Sequence, residues 1–138
     1  MKPLAIDIGA LLNDEGLGTT GDDLFIGFEP DGADIPDNCI TVYDTGGGEQ
    51  DPANAIDNST VQVRVRNKNY ETGFNKINDI KKYIEGKGEV VVNNTTYVGF
   101  WTTTNIAHIS RDAKNRNIWT VNFRVTRTPS NADKGNRN

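Results

Sequence analysis

Leu4, Ile8, Leu11 and Leu12 recur at three- and four-residue spacing near the start of the chain, with Asp7, Asp14 and Glu15 off that face. That period predicts an amphipathic helix of about three turns, which Gly16 and Gly18 then stop. The period next falls to two. Leu24, Ile26 and Phe28 alternate with Phe25 and Gly27, and Ile40 and Val42 alternate with Thr41 and Tyr43, predicting two strands on either side of an acidic, turn-rich stretch at residues 29–38. Residues 44–59 hold three consecutive glycines, one proline and almost no apolar mass. A segment of this kind inside a domain reads as a binding loop, mobile until a partner orders it.

Val61, Val63 and Val65 against Gln62, Arg64 and Arg66 form the clearest strand, with one face in a core and the other wet or paired. A second helix is expected over residues 71–85, where Phe74, Ile77, Ile80 and Ile84 share a face from which Lys76, Asp79 and Lys82 are absent. Gly86 and Gly88 close it. The remainder reads as β-structure. Residues 90–92 and 96–98 flank an Asn93-Asn94 turn, a long segment spans 99–111, and residues 112–117 make a polar hairpin tip. Trp119, Val121, Phe123 and Val125 then alternate with polar residues. The expected fold class is α+β, two helices packed on an antiparallel-rich sheet in the order α-β-β-β-α-β-β-β. Residues 1–128 form one domain on this reading, and residues 129–138, which lack any apolar side chain larger than Ala, form a disordered polar tail.

Charge changes the picture more than composition does. The net charge of −4 conceals two opposite halves: residues 1–57 hold 13 acids against one lysine, whereas residues 58–138 hold 14 Lys and Arg against 6 acids. A divided chain points either to a partner, which can be another copy of itself, or to internal ion pairs between its halves. On the first reading the acids Asp31, Asp34, Asp37, Glu49 and Asp51 of one subunit face the bases Arg111, Lys114 and Arg116 of another. The chain has no apolar run of membrane-spanning length, and its start does not read as an export signal, so a protein that stays in the cytoplasm that made it is expected. Without export, the Asn-x-Thr sequons at Asn58, Asn93 and Asn94 carry no weight.

Candidate chemistry is thin. Residues 16–21 match G-x-G-x-x-G, but a helix precedes the glycines and a strand follows, the reverse of a dinucleotide site. His108 is the single histidine and Cys39 the single cysteine, which leaves no paired metal ligands, and Cys39 reads as a buried bystander. Asp31, Asp34 and Asp37 are spaced by three with Pro36 between them, unlike a calcium loop. No nucleophile elbow occurs, so neither a catalytic residue, a cofactor nor a metal is assigned. Arg111, Lys114, Arg116, Arg124 and Arg127 near Trp119 resemble a nucleic-acid footprint, against which the acidic first half weighs.

Residues 22–30, 39–47, 60–66, 99–101 and 116–125 together resemble the small phage family labelled minor capsid protein, which is similar to the tail terminators of long, non-contractile-tailed phages. The likeness runs from the first helix to about Arg127 and rests on the order of these phrases, not on a catalytic signature. It implies a non-enzymatic virion protein of the tail and neck that forms a homo-oligomer, a hexameric ring. Such a ring would cap the head-proximal end of the tail tube and stop its polymerisation. Its implied partners are the tail tube protein and a head-completion or connector protein, with DNA met only as it passes through the ring lumen and no membrane involved. The alternatives are another neck component, head-completion or connector, and a small-ligand or enzymatic α+β domain.

Overall fold

A left-handed Gly16 ends the first helix, α1 (Leu4–Glu15): its φ of 81° costs little without a Cβ. The Gly16 and Leu17 amides turn back to the Asn13 and Leu12 carbonyls at 3.1 and 3.0 Å, closing the last turn as a Schellman cap. The second helix, α2 (Tyr70–Glu85), starts where the Asn69 side chain accepts from the Thr72 amide. Seven strands complete the chain: β1 (Leu24–Ile26), β2 (Cys39–Gly47), β3 (Asp57–Asn67), β4 (Val90–Val92), β5 (Thr95–Thr102), β6 (Ala107–Arg111) and β7 (Asn117–Thr128). These features come from a computed structural model that describes residues 1–47 and 56–128.

The strands form one sheet in the order β1-β2-β3-β7-β5-β4, and β6 pairs with the first part of β7. All neighbours are antiparallel except β1 and β2, whose parallel pairing aligns Leu24 with Ile40. A parallel pair needs a return crossing, and residues 27–38 supply it. The expected fold and order therefore stand, with one strand more: residues 99–111 divide into the end of β5 and the separate β6. The Asn93-Asn94 turn is a tight two-residue connection with both residues at positive φ.

Both helices pack on one face of the sheet. α1 covers β1 and β2, and α2 covers β3, β5 and β7. Leu4, Ile8, Leu11 and Leu12 from α1 and Ile77, Ile80 and Ile84 from α2 meet Val61, Val63, Val65, Val121, Phe123 and Val125 in the core. Each fully buried side chain of this kind contributes about 1.5–3 kcal/mol. Among the described residues no helix is long and apolar enough to cross a membrane.

Three expectations are corrected by these positions. β2 continues to Gly47 and β3 begins at Asp57, so the ends of the expected 44–59 loop are paired strand; backbone ladders need no apolar side chains. Asp7 lies not off the buried face but wholly inside it. Phe74 shares a helical face with Ile77, yet at 39% exposure it stands outside the core. The rest of that loop, including Glu49 and Asp51, and the expected polar tail at 129–138 lie outside the described residues.

Candidate functional site

Two buried arginines fix the acidic crossing between β1 and β2. Arg66, on β3 and only 2% exposed, donates to the carbonyls of Pro30, Pro36 and Asp37 at 2.8, 2.9 and 3.1 Å. A planar guanidinium with five N–H groups can hold three carbonyls at once, which a lysine cannot. Arg116, at the β6–β7 tip, pairs with Asp112 at 2.8 Å and with Asp31 and Asp37 at 3.3 Å each. Asp112 also shapes that tip, since its Oδ1 accepts from the Lys114 and Arg116 amides at 3.0 Å. Lys114 reaches Asp31 at 2.8 Å, and Lys68 reaches Asp37 at 3.1 Å.

These contacts leave a signature on the carboxyls. The Lys114 hydrogen bond, with Arg116 behind it, brings Asp31 down to a pKa of about 2 against a small opposing effect of desolvation. Lys68 first, then Arg116, lowers Asp37. Burial pushes Asp112 upward, but hydrogen bonds from Arg116 and Lys114 outweigh it and its pKa falls. Asp112 in turn holds the Arg116 pKa above its usual value.

The structure thus brings Asp31, Asp37, Lys114 and Arg116 together within one chain. Asp34 is exposed and makes no ion pair among the described residues, and Arg111 donates to Asn115 at 3.2 Å instead. Asp31 and Asp37 turn toward cations, the opposite of what a calcium site needs. The expected basic face disperses too. Arg127 is buried, donating to Asp57 at 2.6 Å and to the Lys2 carbonyl at 2.8 Å, and Arg124 lies over the Trp101 ring at 4.9 Å. Arg127 belongs to a buried network in which the Tyr97 hydroxyl and Asn93 both donate to Asp7, tying α1 to the β4–β5 turn. Burial, reinforced by the Asp7 carboxylate, pushes the Tyr97 hydroxyl well above its usual pKa.

A second surface escaped the sequence reading. Tyr70 and Phe74, one helical turn apart at the start of α2, lie against Trp119 at ring separations of 4.9 and 5.4 Å, and His108 joins them from β6 at 4.9 Å. Gly73 allows this approach, because a Cβ there would stand 2.9 Å from the indole Cδ1. Tyr70, Glu71, Phe74 and Trp119 line an open apolar groove, and Ile109 on β6 is 54% exposed nearby in the chain. The available signal was an aromatic pair at i and i+4 directly after an Asn cap.

Acid–base or nucleophilic chemistry finds no arrangement here. The His108 ring contacts the Asn117 side-chain oxygen at 3.2 Å, and burial raises the Cys39 thiol pKa away from reactivity. In the glycine-rich turn, the Thr19 and Thr20 amides donate to Asp23 and Asn13 of the same chain, at 2.7 and 2.9 Å, so a phosphate would find them occupied. What the molecule does present is rigid, chemically varied surface. Residues 11–129, most of the chain, match the family model described as bacteriophage tail terminator protein. No curated protein matches the sequence.

Proposed function

The chain belongs to the bacteriophage tail terminator family, and from that premise we propose that it is a structural virion protein that caps the head-proximal end of the tail tube as a ring of six subunits. The ring stops tube polymerisation and offers the head-completion or connector protein a joining surface, with DNA passing through its lumen. Membership of this family over nearly the whole chain is the observation that carries the reading. Its work is assembly, not catalysis.

The physical requirement is simple. Tube subunits add through a repeating interface, so the growing end always displays an attractive surface, and growth stops when something occupies that surface without regenerating it. A ring with two unlike faces does this. The crossing locked by Arg66 and Arg116 supports the reading, since a preformed surface gives up little conformational entropy on docking.

An infection lacking this protein tests it. Tube ends should stay uncapped, giving tails of irregular and excessive length that fail to join DNA-filled heads. Tails of normal length beside heads that leak DNA would instead identify a connector. Purified protein added to polymerising tube subunits should shorten the tubes in proportion to its concentration.

A further inference from the structure

The sheet has two open edges at the same height, and their strand directions match. Follow one row across it: His108 of β6 aligns with Trp119 of β7, Trp119 with Val65 of β3, Val65 with Ile40 of β2, and Ile40 with Leu24 of β1. With β2 pointing up, β1 also points up, β3 down, β7 up and β6 down. A cyclic array whose axis runs along the strands keeps these directions in every subunit. The β6 edge of one copy would therefore meet the β1 edge of the next in antiparallel sense, the commoner pairing in proteins.

Neither edge is protected in the usual ways. All five residues of β6 are exposed, the strand pairs on one side only, and it contains neither lysine nor proline. On β1, the Ile40 amide bonds the Asp23 carbonyl and the Gly27 amide bonds the Val42 carbonyl, so alternate residues face β2 while Leu24 and Ile26 face away. Leu24 is satisfied locally by Thr19 and Gly21. Ile26 is left with its peptide groups outward, next to Phe28, which is 61% exposed. The flanks are complementary in charge: Asp14, Glu15 and Asp22 are exposed around β1, and Arg111 is exposed on β6.

We propose that a second copy of this chain is the occupant of the β6 edge, docking through its own β1 edge with Ile26 and Phe28 opposite His108, Ile109 and Arg111. The contact is heterologous: one patch meets a different patch, as a closed ring demands. It rests on the ring reading above but assigns the surfaces, which that reading does not.

Cysteine pairing tests it. Phe28→Cys with Ile109→Cys, both at exposed sites and with the buried Cys39 left in place, should on mild oxidation of assembled protein give a ladder of covalent multimers on a denaturing gel. Each single variant should stay monomeric there. Dimers from a single variant, or no multimers from an assembled double variant, would overturn the assignment. Ile109→Lys should abolish assembly while leaving the circular dichroism spectrum unchanged, and Val91→Lys, on the exposed β4 edge, should assemble normally. The reverse pattern, or indifference to both, would overturn the β6 assignment and leave the ring standing. A wild-type protein monomeric both in solution and on tube ends would overturn the ring and this contact together.

Discussion

Replacing Arg66 with Met keeps an unbranched apolar stem in place while removing every donor, so it isolates what the guanidinium does for the crossing at residues 27–38. Three carbonyls lose their partner at 2.8 to 3.1 Å, and Glu29 loses a cation at 3.9 Å while keeping Arg64 at 3.4 Å. A hydrogen bond from a charged donor contributes about 1.5–3 kcal/mol where nothing replaces it. Pro30, Pro36 and Asp37 lie in a segment that water reaches, so much of that returns and about 1 kcal/mol remains per carbonyl. The expected loss is about 3 kcal/mol, or a fall in Tm of roughly 10 °C for a domain of this size. Urea unfolding would measure it, and hydrogen exchange should show protection lost first in residues 27–38 and at Asp112–Arg116, which the same crossing touches. Arg66→Lys should restore little, because a point charge cannot serve three carbonyls. A loss below about 1 kcal/mol for Met with unchanged protection, or a lysine variant as stable as wild type, would refute the view that this fork holds the surface.

Two further outcomes are expected. Gly73→Ala gains up to about 1 kcal/mol of helix propensity but must push α2 off Trp119, an overpacking cost of about 1–3 kcal/mol. It should therefore destabilise the protein slightly and alter tryptophan emission, and a clear gain in Tm would contradict the tight approach. For pH, Asp31, Asp37 and Asp112 all titrate lower in the fold than in the unfolded chain. Their stabilisation is complete above the ordinary carboxylate pKa of about 4 and disappears as pH falls toward 2. Thermal melts from pH 5 to pH 2 should show a steep loss in that window, shallower in Asp31→Asn; identical slopes would count against the pairing.

Elements with an apolar period were legible in the sequence because burial alone writes them. The core faces of α1, β3 and β7 emerged correctly from Leu4, Ile8, Leu11 and Leu12, from Val61, Val63 and Val65, and from Val121, Phe123 and Val125. What stayed hidden depends on partners far apart in the chain. Asp7 reads as a solvated acid until Tyr97, Asn93 and Arg127, some ninety or more positions later, satisfy it inside the protein. Phe74 reads as core until Trp119 supplies an aromatic surface at its edge. The extension of β2 and β3 into a glycine-rich text was equally illegible, since a backbone ladder leaves no apolar trace.

The divided charge now supports a sharper test of subunit contact. Asp31 and Asp37 are already engaged with Lys114, Arg116 and Lys68 inside the subunit, so reversing them damages the crossing before it can report on any interface. Asp34 and Arg111 are different: both are exposed, and neither is in an ion pair among the described residues. If the contact between copies is partly electrostatic, its effect belongs to these two. Exposed charge pairs contribute only about 0–1 kcal/mol each, a factor of up to about five per contact, but a cyclic assembly repeats the contact at every subunit. Asp34→Lys and Arg111→Glu should each weaken assembly at low salt, lose that effect at high salt, and leave the melting temperature of the monomer unchanged. Combined in one chain, the two reversals should recover part of the assembly each loses alone. Native mass spectrometry against ionic strength would show it, and two reversals that leave assembly untouched at every salt concentration would place the cohesion of the ring in the apolar edges instead.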